Sequence, residues 1–487
     1  YNVVVGDEAG TALTTGDSNI AIGFEALKTE DANSFNVAVG HQALKVNNGG
    51  DANVAIGYQA LVANTTANNN IAVGNGALAT NTTGTDNIAI GPAALDAEDT
   101  GSRSIAIGGN ALGAQNNDGN NYNVAVGYVA GTAVTSGIRN NFFGAESGEA
   151  VTTGDDNIAI GYQALTSETA GNRTVAIGNN ALDAQNSSTD TNMYNVAVGY
   201  AAGGAVTTGE QNTLIGGVAG DALTDADFNV AIGTSALGSD TLGSHSVAVG
   251  RRALLEQNFS TATDAYNVAV GSSAGQNVTT GQNNVLVGGL VGDAFTTGTA
   301  NVALGKAALG ADTKGNKSIA IGLGTLQTQN FTTATDTFNV AVGHGVGASI
   351  TTGVQNTLIG AESGDAITDA DFNVAVGYSA LSTNQLGSRS TAVGNNALLT
   401  QNPATATDMY NVAVGHNAGR EITTGKQNTI VGGLAADAVT TGTNNVAVGY
   451  LALSTETAGD NSVAIGRSAL GTQNVTTGGN VYNVAVG

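Results

Sequence analysis

The chain has 487 residues and a formal net charge of −24, from 38 acidic against 14 basic residues, and it contains no Cys and no Trp. The missing cysteines exclude disulfides and Cys-built metal sites. The acidic balance argues against nucleic acid and anionic membrane surfaces as partners, because both select for Lys and Arg. No apolar run approaches the ~20 residues that a membrane helix needs.

The first predicted element is a short strand that recurs along the whole chain. At residues 36–40 the sequence reads Asn-Val-Ala-Val-Gly, in which β-branched residues flank a small Ala and a Gly follows. Such a run is typical of a strand closed by a turn. Twenty-eight copies are present, and we call the Gly that closes each copy its terminal glycine, from Gly6 to Gly487.

The spacing of the terminal glycines predicts the architecture. It is 17 residues almost throughout, 19 once, and 21 five times; from Gly127 onward the order 17, 17, 17, 21 gives a super-repeat of 72 residues. We predict an all-β fold, a parallel β-solenoid of 28 coils of 17 to 21 residues, each stacked ~4.8 Å from the last. Residues 1–487 then form a single repetitive domain, and we expect it to be a segment of a longer fibrous protein.

Two columns of residues within the coil are predicted to be structural. Some coils have Leu at the fourth position after the terminal glycine, as at Leu165, whereas others have a small residue there and an apolar residue three positions later, as at Val206. We interpret this as one core slot filled from two backbone positions. The residue four positions before each terminal glycine is Asn in twenty-two coils and Ser or Thr in six. We expect these side chains to bond the next coil and the local backbone.

Both faces of the predicted strand are apolar, because Val or Ile occupies the outer positions and Ala the centre. That pattern is typical of strands buried on two sides. Every fourth coil replaces the central Ala by a bulky residue: Phe142, Leu214, Leu286, Leu358 and Ile430. We expect these residues to pack around an axis shared with other copies of the chain. Replacing Leu214, Leu286 and Leu358 by Asp is then expected to block association.

No residue is predicted to be catalytic, to bind a cofactor or to bind a metal. His41, His344 and His416 each follow a terminal glycine without a recurrent partner, and His245 lies in a turn. Aspartates recur at 72-residue intervals, and the pentapeptide Thr-Asp-Ala-Asp-Phe occurs at 224–228 and 368–372. Carboxylates at one height in several chains could hold calcium, but we favour solvated turns. The recurrent aspartates are Asp221, Asp293, Asp365 and Asp437.

Two exposed features are candidates for recognition. Ten aromatic residues lie one position before the Asn column, and seven follow a terminal glycine. Such rings can stack on sugars, although packing between coils or chains explains the regular columns better. Five coils carry four extra residues, as in 257–266, 329–338 and 401–410. We expect these long loops to form a ridge for ligands or a solubilising one. Removing Thr261 to Asp264, and its equivalents, and measuring attachment would separate the two.

The strand motif Asn-Val-Ala-Val-Gly or Ser-Val-Ala-Ile-Gly, repeated once per coil, resembles the YadA-like head of trimeric autotransporter adhesins. The resemblance covers the whole chain and implies a left-handed parallel β-roll formed by three identical chains. Similar repeats occur in bacteriophage fibre proteins. The coils of 17 and 21 residues are longer than those of the adhesin heads, and the adhesin neck, stalk and membrane anchor are not in this sequence.

The expected function is a non-enzymatic extracellular fibre that adheres to a surface or carries a receptor-binding part. It would lie on a bacterial cell surface or, as a tail-fibre shaft, on a phage particle. The expected partners are two further copies of the chain and a receptor on a host surface or matrix, with a glycan among the candidates; neither nucleic acid nor membrane insertion is expected. A polysaccharide-active β-helix enzyme is the less favoured alternative, because no groove interrupts the repeat.

Overall fold

The computed structural model describes residues 1–487 and contains strands and turns but no helix. Accordingly, no helix of the chain has the length and hydropathy that crossing a membrane requires. The chain divides into two compact units, Tyr1–Ser244 with Ser260–Thr263, and His245–Phe259 with Asp264–Gly487. Each unit contains fourteen three-residue strands, one per coil.

In the first unit the strands are Val3–Val5, Ile20–Ile22, Val37–Val39, Val54–Ile56, Ile71–Val73, Ile88–Ile90, Ile105–Ile107, Val124–Val126, Asn141–Phe143, Ile158–Ile160, Val175–Ile177, Val196–Val198, Thr213–Ile215 and Val230–Ile232. In the second unit they are Val247–Val249, Val268–Val270, Val285–Val287, Val302–Leu304, Ile319–Ile321, Val340–Val342, Thr357–Ile359, Val374–Val376, Thr391–Val393, Val412–Val414, Thr429–Val431, Val446–Val448, Val463–Ile465 and Val484–Val486.

Within each unit every strand pairs in parallel with the equivalent strand of the next coil. Ala159 lies opposite Ala176, for example, and Leu286 lies opposite Ala303. Parallel strands need a long connection, which an α-helix usually supplies. Here the turns of the same coil return the chain to its starting edge, so the predicted parallel β-solenoid of about 28 turns is confirmed.

Two-residue strands accompany several long loops. They are Gly243–Ser244, Thr263–Asp264, Gly315–Asn316, Thr335–Asp336, Gly387–Ser388, Thr407–Asp408, Gly459–Asp460 and Gly479–Asn480. In the second unit, Gly315–Asn316 pairs in parallel with Thr335–Asp336, and the equivalent pairing occurs in the next two long coils. The extra residues therefore add a short ladder beside the main sheet.

The core consists of the central strand residue and the residues of the alternating slot. Ala164, Leu165 and Val206 are all fully buried. A Cβ added to Gly203, at the fourth position of the Val206 coil, would lie 3.3 Å from the Val206 side chain, so the prediction that one slot is filled from two backbone positions is confirmed. Because the slot lies inside a single chain, the solenoid has its own apolar core.

The bulky residues of every fourth coil lie inside this core, so the prediction that they face an axis between chains is wrong. Phe142, Leu214, Leu286, Leu358 and Ile430 are all fully buried in the isolated chain. The reason is the volume that is available in the core at these coils. Gly275 and Gly292 hold the fourth position in the two coils that flank Leu286, and a Cβ on these glycines would lie 2.7 and 2.9 Å from the Leu286 side chain. The leucine therefore shares the space that the two missing side chains leave with Val278 and Phe295, which follow these glycines by three positions.

The terminal glycines stack on one another in a way that no other residue permits. Gly40 has a φ of 138°, and a Cβ added to it would lie 2.3 Å from the carbonyl oxygen of Gly57 in the next coil. Both the backbone conformation and the close approach require glycine. This column fixes where each strand ends.

Candidate functional surfaces

One exposed feature recurs in every coil, the outer side of the strands, which we call the Val/Ile face. It comprises the first and third residues of every three-residue strand. The third residue is Val, Ile, Leu or Phe in all 28 strands, and the first is Val or Ile except for four Thr and one Asn. No charged residue interrupts either column. The pattern predicted two apolar sides, and the structure buries the Ala side while leaving the Val/Ile side open.

These outward side chains remain accessible in the isolated chain. Val287, Ile321 and Ile359 expose 37, 36 and 39% of their surface. With roughly a third of each side chain accessible, the face of one unit offers on the order of 1,000 Å² of apolar area, whereas the largest patch on a typical monomer covers about 300–600 Å². The Val/Ile face therefore exposes more apolar area than the largest patch of a typical monomer does.

The Asn column is structural, as predicted. The Asn19 side chain accepts a 2.9 Å hydrogen bond from the Asn36 backbone N–H through Oδ1. The Asn36 side chain donates in turn to the Gly50 carbonyl at 2.9 Å through Nδ2. Direct amide–amide bonds are longer, as between Asn53 and Asn36 at 3.3 Å. Each side chain therefore links successive coils mainly through their backbones.

The six Ser or Thr exceptions in that column share one structural role. Each shares a hydrogen bond with a Gln eleven residues later. The Gln Nε2 donates in five of the six, for example from Gln185 to Thr174 Oγ1 at 3.0 Å, whereas Ser390 Oγ donates to Gln401 Oε1 at 3.1 Å. The Gln then accepts from the Asn of the next coil, at 2.9 Å between Asn195 Nδ2 and Gln185 Oε1. The Ser or Thr side chain is shorter than the usual Asn side chain and leaves space for the Gln side chain. The constant offset of eleven residues is a signal in the sequence that our prediction missed.

A buried carboxylate completes this network beneath several long loops. Asp312 has no solvent exposure and accepts from Gln329 Nε2 at 2.6 Å and from the backbone N–H groups of Gly315 and Phe331 at 3.0 and 3.2 Å. Burial raises the pKa of Asp312, and these hydrogen bonds oppose the rise. Burial likewise raises the pKa of Glu98, which occupies the same place in an earlier coil. These groups hold loops; they do not line an open site.

The four histidines lie in separate surroundings. The His41 ring stacks between Phe24 and Tyr58, with ring centroids 5.1 and 5.2 Å apart. His245 Nδ1 lies 3.2 Å from Asp264 Oδ1, and its ring is 5.0 Å from that of Tyr266. His344 and His416 are exposed on turns.

The recurrent aspartates are half-buried in the turns. Burial raises the pKa values of Asp221, Asp293, Asp365 and Asp437. In the repeated pentapeptide, Asp227 Oδ1 instead accepts from the backbone N–H of Glu210 in the preceding coil at 2.7 Å. No three His, Asp or Glu side chains come together as a set that could hold a metal ion.

The aromatic row before the Asn column packs between coils, and in several coils its partner is a cation. Lys317 lies 5.2 Å from the ring centroid of Phe338. Arg389 lies between Phe372 and Tyr410, at 4.7 and 5.9 Å. Such contacts contribute about 0.5–1 kcal/mol each at exposed sites. The ring faces are thus partly occupied by cations, although Tyr410 remains about half exposed.

The long loops have exposed tips and anchored bases. Residues 188–190, 332–334 and 404–406 are all exposed, whereas Phe331 and Met409 are buried beneath their loops. Asp336 also pairs with Lys317 at 2.6 Å. Removing four residues would therefore disturb the packing as well as the tip. Replacing the three tip residues is the cleaner test of a binding ridge.

One open cleft lies beside a long loop in the first unit. It has a volume of about 290 Å³, and Arg139, Asp156, Arg173 and Asp190 contribute to its lining. Arg139 forms two hydrogen bonds to Asp156 in this cleft, and Arg173 donates to the neutral side chain of Asn192 at 2.6 Å. No nucleophile and general base meet there.

No protein-family model matches the chain, and no curated protein matches it significantly.

Proposed function

We propose that the chain is a segment of a non-enzymatic, extracellular fibre in which three copies associate side by side through the Val/Ile face. The observation that carries this proposal is the accessibility of that face along every strand of both units. Exposed apolar area of this extent is unfavourable in water and is normally covered. The resemblance to YadA-like adhesin heads supports the number three.

A further copy of the chain is the partner that fits this face best. Successive strands of a parallel ladder are ~4.8 Å apart, so the face presents ridges at that interval over fourteen strands of each unit. Another copy has the same interval and the same lack of charge. Closed rotational symmetry would cover the face on every copy equally. About 800 Å² per partner is sufficient for a stable interface.

In this proposal the fibre either adheres to a surface itself or holds a receptor-binding part away from one, as a bacterial adhesin or a phage tail-fibre shaft does. The long-loop tips remain outside the Val/Ile face and are free to contact a receptor on a host surface or matrix, such as a glycan. Replacing the tips by Gly-Ser-Gly and measuring binding to immobilised cell-surface glycans and matrix proteins tests that role. Undiminished binding would move recognition away from the tips.

The assembly is tested by sedimentation velocity. We expect the wild-type chain, of 47.8 kDa, to sediment with three times that mass. Replacing Val287, Ile321 and Ile359 together by Asp places charges in the proposed interface and should give a folded monomer, because these side chains point away from the core. Circular dichroism should show unchanged strand content.

The matched control replaces Leu290, Leu323 and Tyr378 by Asp. These side chains are at least as exposed as the three in the face variant, but they lie outside the Val/Ile face. It should remain trimeric. A monomeric wild-type chain would contradict the proposal. So would a face variant that associates as well as the control.

A further inference from the structure

Four of the five long loops carry an asparagine followed two residues later by a hydroxyl side chain. Three of the triplets are Asn186-Ser187-Ser188, Asn330-Phe331-Thr332 and Asn474-Val475-Thr476, and the fourth is Asn258-Phe259-Ser260. Each has the form Asn-x-Ser/Thr with a central residue other than Pro, which is the acceptor sequence for N-linked sugar. Neither the fibre proposal nor the solenoid core requires this triplet.

The side-chain amides of Asn186, Asn330 and Asn474 are oriented alike. Their Oδ1 atoms accept hydrogen bonds from a threonine hydroxyl of the preceding coil. The donors to Asn186, Asn330 and Asn474 are Thr169, Thr313 and Thr457, at 3.0, 3.1 and 3.0 Å. All three asparagines are exposed, and their Nδ2 atoms donate to no protein atom. The nitrogen that would accept a sugar is thus unoccupied.

The third residue of each triplet is equally accessible. Ser188, Thr332 and Thr476 are exposed. Their hydroxyl groups form no hydrogen bond within the chain, unlike the neighbouring Ser187 hydroxyl, which donates to the Thr189 carbonyl at 2.8 Å. Both groups of the acceptor sequence therefore face solvent at the loop.

The same chain contains natural controls. Asn402 is exposed at the equivalent place in another long loop, but Pro403 and Ala404 follow it, so the acceptor sequence is absent. Asn64 and Asn81 have the acceptor sequence Asn-Thr-Thr but are fully buried, and Nδ2 of Asn64 donates to Asn47 Oδ1 at 2.7 Å. Sequence and accessibility can therefore be tested separately.

We propose that Asn186, Asn330 and Asn474 are acceptor sites for N-linked glycosylation. In the transfer, Nδ2 forms a bond to the anomeric carbon of a phosphate-activated sugar supplied with a glycosyltransferase. The bond between that carbon and the phosphate oxygen breaks, its electron pair leaves with the phosphate, and the amide releases one proton. None of the three triplets lies on the Val/Ile face, so the sugars are compatible with association through it.

Peptide mapping by mass spectrometry, on the chain isolated from the cells that produce it, tests the proposal. Peptides containing Asn186, Asn330 and Asn474 should carry sugar. Peptides containing Asn64, Asn81 and Asn402 should not. Unmodified peptides at all three proposed sites would overturn the proposal. Equal modification of Asn402 would also overturn it, because sugar attachment would then not depend on the hydroxyl.

Variants expressed in the same cells sharpen the result. Thr332→Ala should abolish sugar at Asn330 alone, whereas Thr332→Ser should retain it. The double change Pro403→Val and Ala404→Thr should create a new site at Asn402, since the loop is already exposed there. Failure of Thr332→Ala to remove the sugar, or of the double variant to gain it, would contradict recognition of this triplet. Sedimentation velocity of the chain produced without sugar tests the trimer proposal independently, because association through the Val/Ile face does not require the sugar.

Discussion

At the scale of single residues, Asp312 shows how one carboxylate connects three parts of the coil. It accepts from a turn, from the base of a long loop and from the Gln329 side chain, with no exposure to solvent. In the next super-repeat Asn384 occupies this place, and Gln401 Nε2 there is buried without an acceptor. The carboxylate thus satisfies a donor that the amide leaves unpaired.

We predict that Asp312→Ala destabilises the chain by about 1–3 kcal/mol, because three buried donors lose their acceptor. Burial raises the folded-state pKa of Asp312 above its ordinary value of 3.8. Its contribution is therefore complete below the unfolded pKa and declines as the pH rises through the folded pKa. The loss on substitution should be larger at pH 4 than at pH 7, as measured by urea unfolding midpoints.

Asp312→Asn is the control for this pH dependence. Its amide oxygen can still accept from Gly315 and Phe331, but the side chain no longer titrates. The difference from wild type should then have a constant part, from the lost Gln329 hydrogen bond, and a part that changes with pH, from the titration of the carboxylate. A loss for Asp312→Ala that grows with pH would show that the charged form is the one the fold stabilises, contrary to the burial of this group.

At the scale of structural elements, side-chain volume is exchanged between strand and turn. Leu286 lies between two coils that have Gly at the fourth position, whereas Ala320 lies between coils that have Leu309 and Leu326 there. In each case one large residue and one small residue share the space between strand and turn. The core is therefore filled with the close packing usual in protein interiors.

We predict that Leu286→Ala destabilises the chain by about 2–5 kcal/mol, because the flanking glycines cannot fill the cavity. The reciprocal change Ala320→Leu should cost about 1–3 kcal/mol through overpacking against Leu309 and Leu326. Urea unfolding followed by circular dichroism measures both. If Leu286→Ala instead produced a folded chain that only dissociates, Leu286 would face a partner chain rather than the core.

At the scale of the whole molecule, charge and apolar surface are separated. The chain has 38 acidic residues, and none of them lies in the two columns of the Val/Ile face. Association through that face would bring together copies of net charge −24. Their mutual repulsion is long-range at low salt, whereas apolar contact is short-range.

Association should therefore become several-fold tighter as NaCl rises from about 0.05 to about 0.5 M, because salt screens the repulsion between the chains over a shortening Debye length. Sedimentation equilibrium at several protein concentrations measures this. The Asp variant of the face provides the baseline for a chain that does not associate. Weaker association at high salt would indicate ion pairs across the interface, which the Val/Ile face does not contain.

The sequence by itself determined the strand, the terminal glycine, the coil length and the alternating core slot. Each of these depends on neighbours in the chain or on the equivalent residue of the next coil, so a repeated spacing is sufficient to reveal it. The Asn column was predictable for the same reason. The Ser and Thr exceptions are also regular in the sequence, because a Gln follows each of them by eleven residues. The sequence does not show that this Gln side chain occupies the place next to the shorter Ser or Thr.

Only the tertiary structure decided which apolar side of the strand is inside. Alternation of Val and Ala places the two residue types on opposite sides, but it does not say which side encloses a core when both are apolar. The position of Leu286 between two glycines settles it, because the volume that they leave lies within the coil. The Ala side therefore closes on its own chain, and the Val/Ile side is left exposed to solvent.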